Sequence, residues 1–255
     1  MKGTGTHLAD LLRRYGNSSF TVLVGSGDSV ESFSLHQQRA CQKSGFFEAA
    51  FGNEWKEKEE KLIRLPDYEP EHFHIFFLWL YGSKIYSSQD GDIGADENES
   101  VTGGDETDRE WERLAYAWTI GAYLQCPEFK NAIVDAIIDK STWAKKPLEQ
   151  DMHAIVYPKS EDNAPIRKLI VDIAASYSSA YTISCLKNDP AWSDFFRDLS
   201  IVLLLGREKG WPSAPHQITA PCKYNEHGDC DDDLLQRKAK GRASAGTPLV
   251  GPRMS

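Results

Sequence analysis

The stretch PEHFHIFFLWLYG, Pro70 to Gly82, constrains this chain more than any other. Phe73, Phe76, Phe77 and Leu80 recur at i, i+3, i+4 and i+7, the spacing of one helix face. Pro70 suits the first turn, where an N–H has no helical partner anyway. Gly82 is expected to cap the far end. Each large apolar side chain gains about 1.5–3 kcal/mol when fully covered, so the face demands a packed partner layer.

That layer is predicted from the flanking patterns. A first helix is expected over His7 to Arg14, with Leu8, Leu11 and Leu12 on one face. Phe20, Val22 and Val24 alternate with Thr21 and Leu23, as in a strand. Gly25 to Ser29 is turn chemistry, and Phe33 and Leu35 continue a second strand, giving a β-hairpin. Two short helices follow, about Gln37 to Gln42 and Ser44 to Phe51, the second capped by Ser44. Lys61 to Leu65 reads as a strand ended by Pro66. Beyond Gly82 the pattern is helical. Trp111, Leu114, Ala115, Trp118 and Ala122 mark one helix, and Phe129, Ile133 and Ile137 another. After Ser141 regularity fades until Ile166, Leu169, Ile170 and Ile173. Trp192, Phe195, Phe196, Leu199, Val202 and Leu203 mark a last helix, with Asp189 as cap and Pro190 at its first position. This is not the strand–helix alternation of a doubly wound sheet. The expected class is α+β, a small mixed sheet flanked by helices and followed by an all-helical extension.

Charge divides the chain further. The 255 residues carry a net charge of −9, and 40% are hydrophobic, enough for a real core. Nearly all of that charge lies in residues 88–110, which hold nine acids and one base, Arg109. With Ile93 and Val101 as its only bulky apolar residues, this segment cannot offset its chain entropy and is expected to be a disordered acidic insertion. It is either a solvated loop or a docking segment for a basic protein. Residues 236–255 read as a flexible basic tail, whose run Arg237 to Arg242 is either solvated chain or a nuclear import signal. The acidic balance argues against nucleic-acid or membrane partners. No apolar run approaches the roughly 18 residues of a membrane span. The first twelve residues lack a secretory signal's apolar core, and the five cysteines are odd in number and scattered. The chain is therefore expected inside the cell, in the nucleus or cytoplasm.

Little in the sequence points to catalysis. Gly25-x-Gly27 follows a strand, but strand-like residues follow it, so a hairpin turn is expected, not a nucleotide loop. His72 and His74 are two apart on a helix and face different ways. His36 is read as closing a strand-to-helix junction rather than as a base. No cofactor and no catalytic residue are expected. The one cluster with metal-ligating chemistry is Cys222, His227 and Cys230, with His216 or Asp229 available to complete a tetrahedron. It is either a zinc site, structural or catalytic, or a polar loop.

Taken in order, these segments resemble the BTB/POZ domain over about Ser18 to Lys140. The family's strand corresponds to FTVLVG from Phe20. Its Phe-x-x-His and Ser-x-Phe-Phe positions are Phe33, His36, Ser44, Phe46 and Phe47. IRLPD from Ile63 is similar to its next strand and turn. Phe73, Leu80, Tyr81 and Gly82 match its aromatic helix, and Leu114 onward its last helix pair. The helical C-terminal half, about 141–212, is similar to fungal members, followed by a Cys/His-containing loop and tail over 213–255. Those members often carry Cys-x-x-His-x-His near the loop, and Asn225 stands at the first His position here. The resemblance implies a non-enzymatic protein-interaction module. Such domains dock onto a second copy, another BTB protein, a cullin-type ubiquitin-ligase scaffold or a transcriptional corepressor. Cullin-binding members carry a hydrophobic-x-Glu element, for which Phe51 and Glu54 are the candidates. Adaptor for a ubiquitin ligase and transcription-regulatory scaffold are the two roles this leaves open.

Overall fold

Ser19–Val24 (β1) pairs antiparallel with Glu31–His36 (β2) and parallel with Leu62–Leu65 (β3), giving one mixed sheet in the order β2-β1-β3. The structure is a computed structural model, and it describes residues 15–52, 60–87, 109–144, 151–179, 192–210 and 223–226. Strand alternation decides which face is covered. Phe20, Val22, Val24, Phe33, Leu35, Ile63 and Leu65 are all buried. The hairpin turns at Gly25, whose φ of 100° suits glycine; a Cβ there would meet the Ser29 carbonyl oxygen at 2.7 Å.

Eight α-helices are present among the described residues. Gln37–Lys43 (α1) and Gly45–Gly52 (α2) form the expected short pair. Pro70–Gly82 (α3) is the aromatic helix, with Pro70 in its first turn and Phe73, Phe76 and Leu80 fully covered. Glu110–Tyr123 (α4) packs on α3, on Pro127–Ala144 (α5) and on Asp151–Val156 (α6). Pro165–Tyr177 (α7) packs on α5 and α6, and Trp192–Lys209 (α8) on α6 and α7. One buried apolar cluster runs through all of it, from Phe20 in the sheet to Tyr224 near the far end. The α+β architecture with a small mixed sheet and a helical remainder is therefore observed.

Several local expectations change. Ser83, not Gly82, takes the left-handed position after α3, at φ 54°, and donates its N–H to the Trp79 carbonyl at 2.8 Å. Residues 140 and 141 both lie inside α5, which runs on to Ala144. The acidic segment does not extend to residue 110. Glu110 begins α4, and its carboxylate accepts the Ser87 hydroxyl at 2.6 Å and the Lys140 ammonium at 2.7 Å. The stretch after Ser141 holds α6 and the 3-10 turn Tyr157–Lys159. Met152, Val156 and Tyr157 are buried there, in elements too short to show a helical period. The buried guanidinium of Arg167 holds this corner together through Ser160, Asp162 and the Tyr157 carbonyl. Residues 88–108, the helix expected over His7 to Arg14, the Asp189–Pro190 cap and the 236–255 tail lie outside the described residues. No helix among the described residues is long and apolar enough to cross a membrane.

Candidate interaction surface

Ser44 is the local organiser of the most developed surface. Its N–H closes α1 on the Ala40 carbonyl at 2.9 Å. Its hydroxyl accepts the Phe47 N–H at 3.2 Å, which is the helix cap anticipated for α2, and donates to the Leu124 carbonyl at 2.6 Å. The next two amides continue the bolt. Gly45 N–H reaches the Gln125 carbonyl at 3.2 Å and Phe46 N–H the Leu124 carbonyl at 3.3 Å. Gln125 sits at φ 50°, which ends α4 and turns the chain into α5. Gly45 lets the two turns approach closely, since a Cβ there would lie 2.9 Å from the Gln125 side-chain oxygen and displace that side chain.

This bolt fixes Phe46 at the surface. Its ring lies 5.1 Å from that of Tyr123 at the end of α4, and Tyr68, from the turn after β3, lies 5.4 Å from Tyr123 on the other side. Tyr123 is 45% exposed, and Phe46 and Tyr68 are half-buried. Burial, with Tyr123 and Asp67 close by, pushes the Tyr68 phenol up to about 12, so it stays neutral at physiological pH. Lys43 and Glu128 form an ion pair at the rim. Three adjoining rings are partly exposed, with Phe46 held by main-chain hydrogen bonds, an arrangement of the kind that contacts between proteins use. Aromatic anchors carry much of the energy of such contacts, and preorganised ones lose little rotamer entropy on binding.

The histidines take other roles. The His36 N–H and Nδ1 both lie 3.1 Å from the Tyr81 hydroxyl, which ties the end of β2 to α3. Tyr15 packs beside both rings. His72 stacks on Tyr116 at 4.5 Å, and burial lowers its pKa. His74 meets the edge of Phe33 and lies 3.9 Å from Glu31, on a different face.

The structure places Phe51 in the interior of the chain. It is 6% exposed, its ring is 4.6 Å from Phe20, and it belongs to the core beneath the sheet rather than to a docking surface. Glu54 lies outside the described residues, as do Cys222, His227, Cys230 and His216. The tetrapeptide between the first two of those cysteine-cluster residues, 223–226, is described. Tyr224 is buried and donates to the Asp172 carboxylate at 2.7 Å, and Lys223 reaches the same oxygen at 2.7 Å. The Asn131 amide pairs with both the N–H and the carbonyl of Glu226, each at 2.7 Å, and Lys130 pairs with its carboxylate. This part of the loop is thus strapped across α5 and α7.

Tyr68 and Tyr123 escaped the sequence reading. Tyr123 comes directly after Ala122, the last residue of the apolar stripe, and Tyr68 sits in a turn, so neither breaks a pattern. The usable signal was that Tyr116 and Tyr123 lie seven residues apart, off the apolar face of their helix. No protein-family model matches the chain, and none of the curated proteins matches it.

Proposed function

We propose that this chain is a protein–protein interaction module of the BTB/POZ type with a helical extension, acting through binding and without chemistry of its own. The observation that carries this reading is the trio Phe46, Tyr68 and Tyr123, three adjoining and partly exposed rings, of which the Ser44–Leu124 bolt holds Phe46 in place. The order of hairpin, short helix pair, third strand and aromatic helix supports the family assignment. In its finer form the module is a substrate adaptor, with the ring trio seating an apolar helix of a cullin-type scaffold. Phe51 plays no direct part, because its side chain is spent on the core.

The test is purification of the tagged full chain from its source cell, followed by binding of the recovered scaffold as a pure protein. Recovery of a cullin, a corepressor or another BTB protein is expected. Tyr123→Ala is expected to weaken the purified interaction about tenfold or more with the fold intact. Recovery of none of these three classes overturns the proposal.

A further inference from the structure

Helix α8 has two apolar sides, and the fold uses one. Trp192, Phe195 and Leu199 are buried against the rest of the molecule. Ile201, Leu204 and Leu205 point away and are 50%, 49% and 44% exposed. Along this outer side Arg197, Ile201, Leu204 and Glu208 follow one another at spacings of four, three and four residues, the seam of a helix pair. The seam is apolar only in its middle. A positive residue closes one end and a negative residue the other.

That arrangement is self-complementary in one orientation. Two copies of α8 laid antiparallel about a two-fold axis between Val202 and Leu203 place Ile201 against Leu204 of the second copy. The same axis places Arg197 against Glu208 of the second copy, and each contact occurs twice. A parallel pair would set Arg197 against Arg197 and Glu208 against Glu208. The surrounding charges agree. Asp194 and Asp198 lie 3.1 and 3.3 Å from Arg197, which makes the first half of the helix acidic on balance, and Arg207 and Lys209 make its last turn basic.

We infer that a second copy of this chain covers this face, through an antiparallel α8–α8 pair centred on Ile201 and Leu204. The contact is small, so the dimer forms in proportion to concentration rather than obligately. It is independent of the Tyr123 surface, and either assignment can fail without the other.

Sedimentation equilibrium of the full chain over about a hundredfold concentration range tests it. The mass is expected to approach twice that of one chain. Leu204→Glu and Ile201→Glu are each expected to weaken association about a hundredfold. Both sites are exposed, and circular dichroism checks that each variant stays folded. Mixing Ile201→Cys and Leu204→Cys chains under mild oxidation is expected to give a 201–204 disulfide, mapped by peptide mass spectrometry. A monomer throughout, as when the chain's own terminus or another protein is the true occupant, overturns the inference. So does a dimer indifferent to Leu204→Glu, or a 204–204 link in the Leu204→Cys chain alone.

Discussion

Tyr224 donates its phenolic hydrogen to Asp172 at 2.7 Å, and by this bond a segment far along the chain is fastened to the middle of α7. Asp172 is buried and otherwise receives Lys223 on the same oxygen. Burial, then the carboxylate itself, pushes the Tyr224 phenol up, so it stays a donor at all ordinary pH. Tyr224→Phe leaves a buried carboxylate short of one donor, which costs about 1–3 kcal/mol. Urea unfolding should show a lower midpoint with an unchanged slope.

Ser44 makes a sharper case. Ser44→Ala removes the cap of α2 and strips the Leu124 carbonyl of its hydroxyl partner in one step. A lost cap alone costs about 0.5–2 kcal/mol, and the second bond adds to it. Thermal unfolding should fall accordingly, and binding at Tyr123 should weaken in parallel because Phe46 loses its anchorage. An unchanged midpoint would mean that the bolt does not hold.

Phe51 and Tyr123 are expected to separate stability from binding. Phe51→Ala empties a site under the sheet and should cost about 3–5 kcal/mol. Tyr123→Ala removes a half-exposed ring and should cost no more than about 1 kcal/mol. Denaturant titration of the two variants side by side checks the contrast.

Alkaline pH probes the ring trio. The Tyr68 phenol is raised above its ordinary 10 to about 12. Between those values the unfolded chain has lost the proton that the folded chain keeps. Stability is therefore complete below about 10 and declines as pH rises toward about 12. Tyr68→Phe should show a shallower decline over that window in pH-dependent urea unfolding. Equal slopes would place Tyr68 in open solvent.

What the sequence disclosed follows from how strongly each segment was patterned. Phe73, Phe76 and Leu80 repeat with a helical period because one face of α3 is covered, and Phe20, Val22 and Val24 alternate because one face of the sheet is covered. Ser44 was readable as a cap because its chemistry is local. Its second bond, to Leu124, joins residues far apart in sequence and leaves no local trace. Phe51 was a docking candidate only through the resemblance, and its ring contact with Phe20 joins residues far apart in sequence, which spacing does not encode. Tyr224 sat among Cys and His residues that suggested a metal or a polar loop, whereas its hydroxyl answers a carboxylate on α7. Ser83 took the cap position expected of Gly82 because the helix runs through its glycine and turns left-handed one residue later.

Photo-crosslinking from position 123 asks whether a protein seats on the ring trio. A benzophenone amino acid replaces Tyr123 in the full chain, expressed in its source cell, and mass spectrometry identifies the adducts. A recurrent protein adduct is expected, lost when Phe46→Ala and Tyr68→Ala are added to a chain that still folds. No protein adduct at position 123, or one indifferent to those two substitutions, would contradict the proposed function.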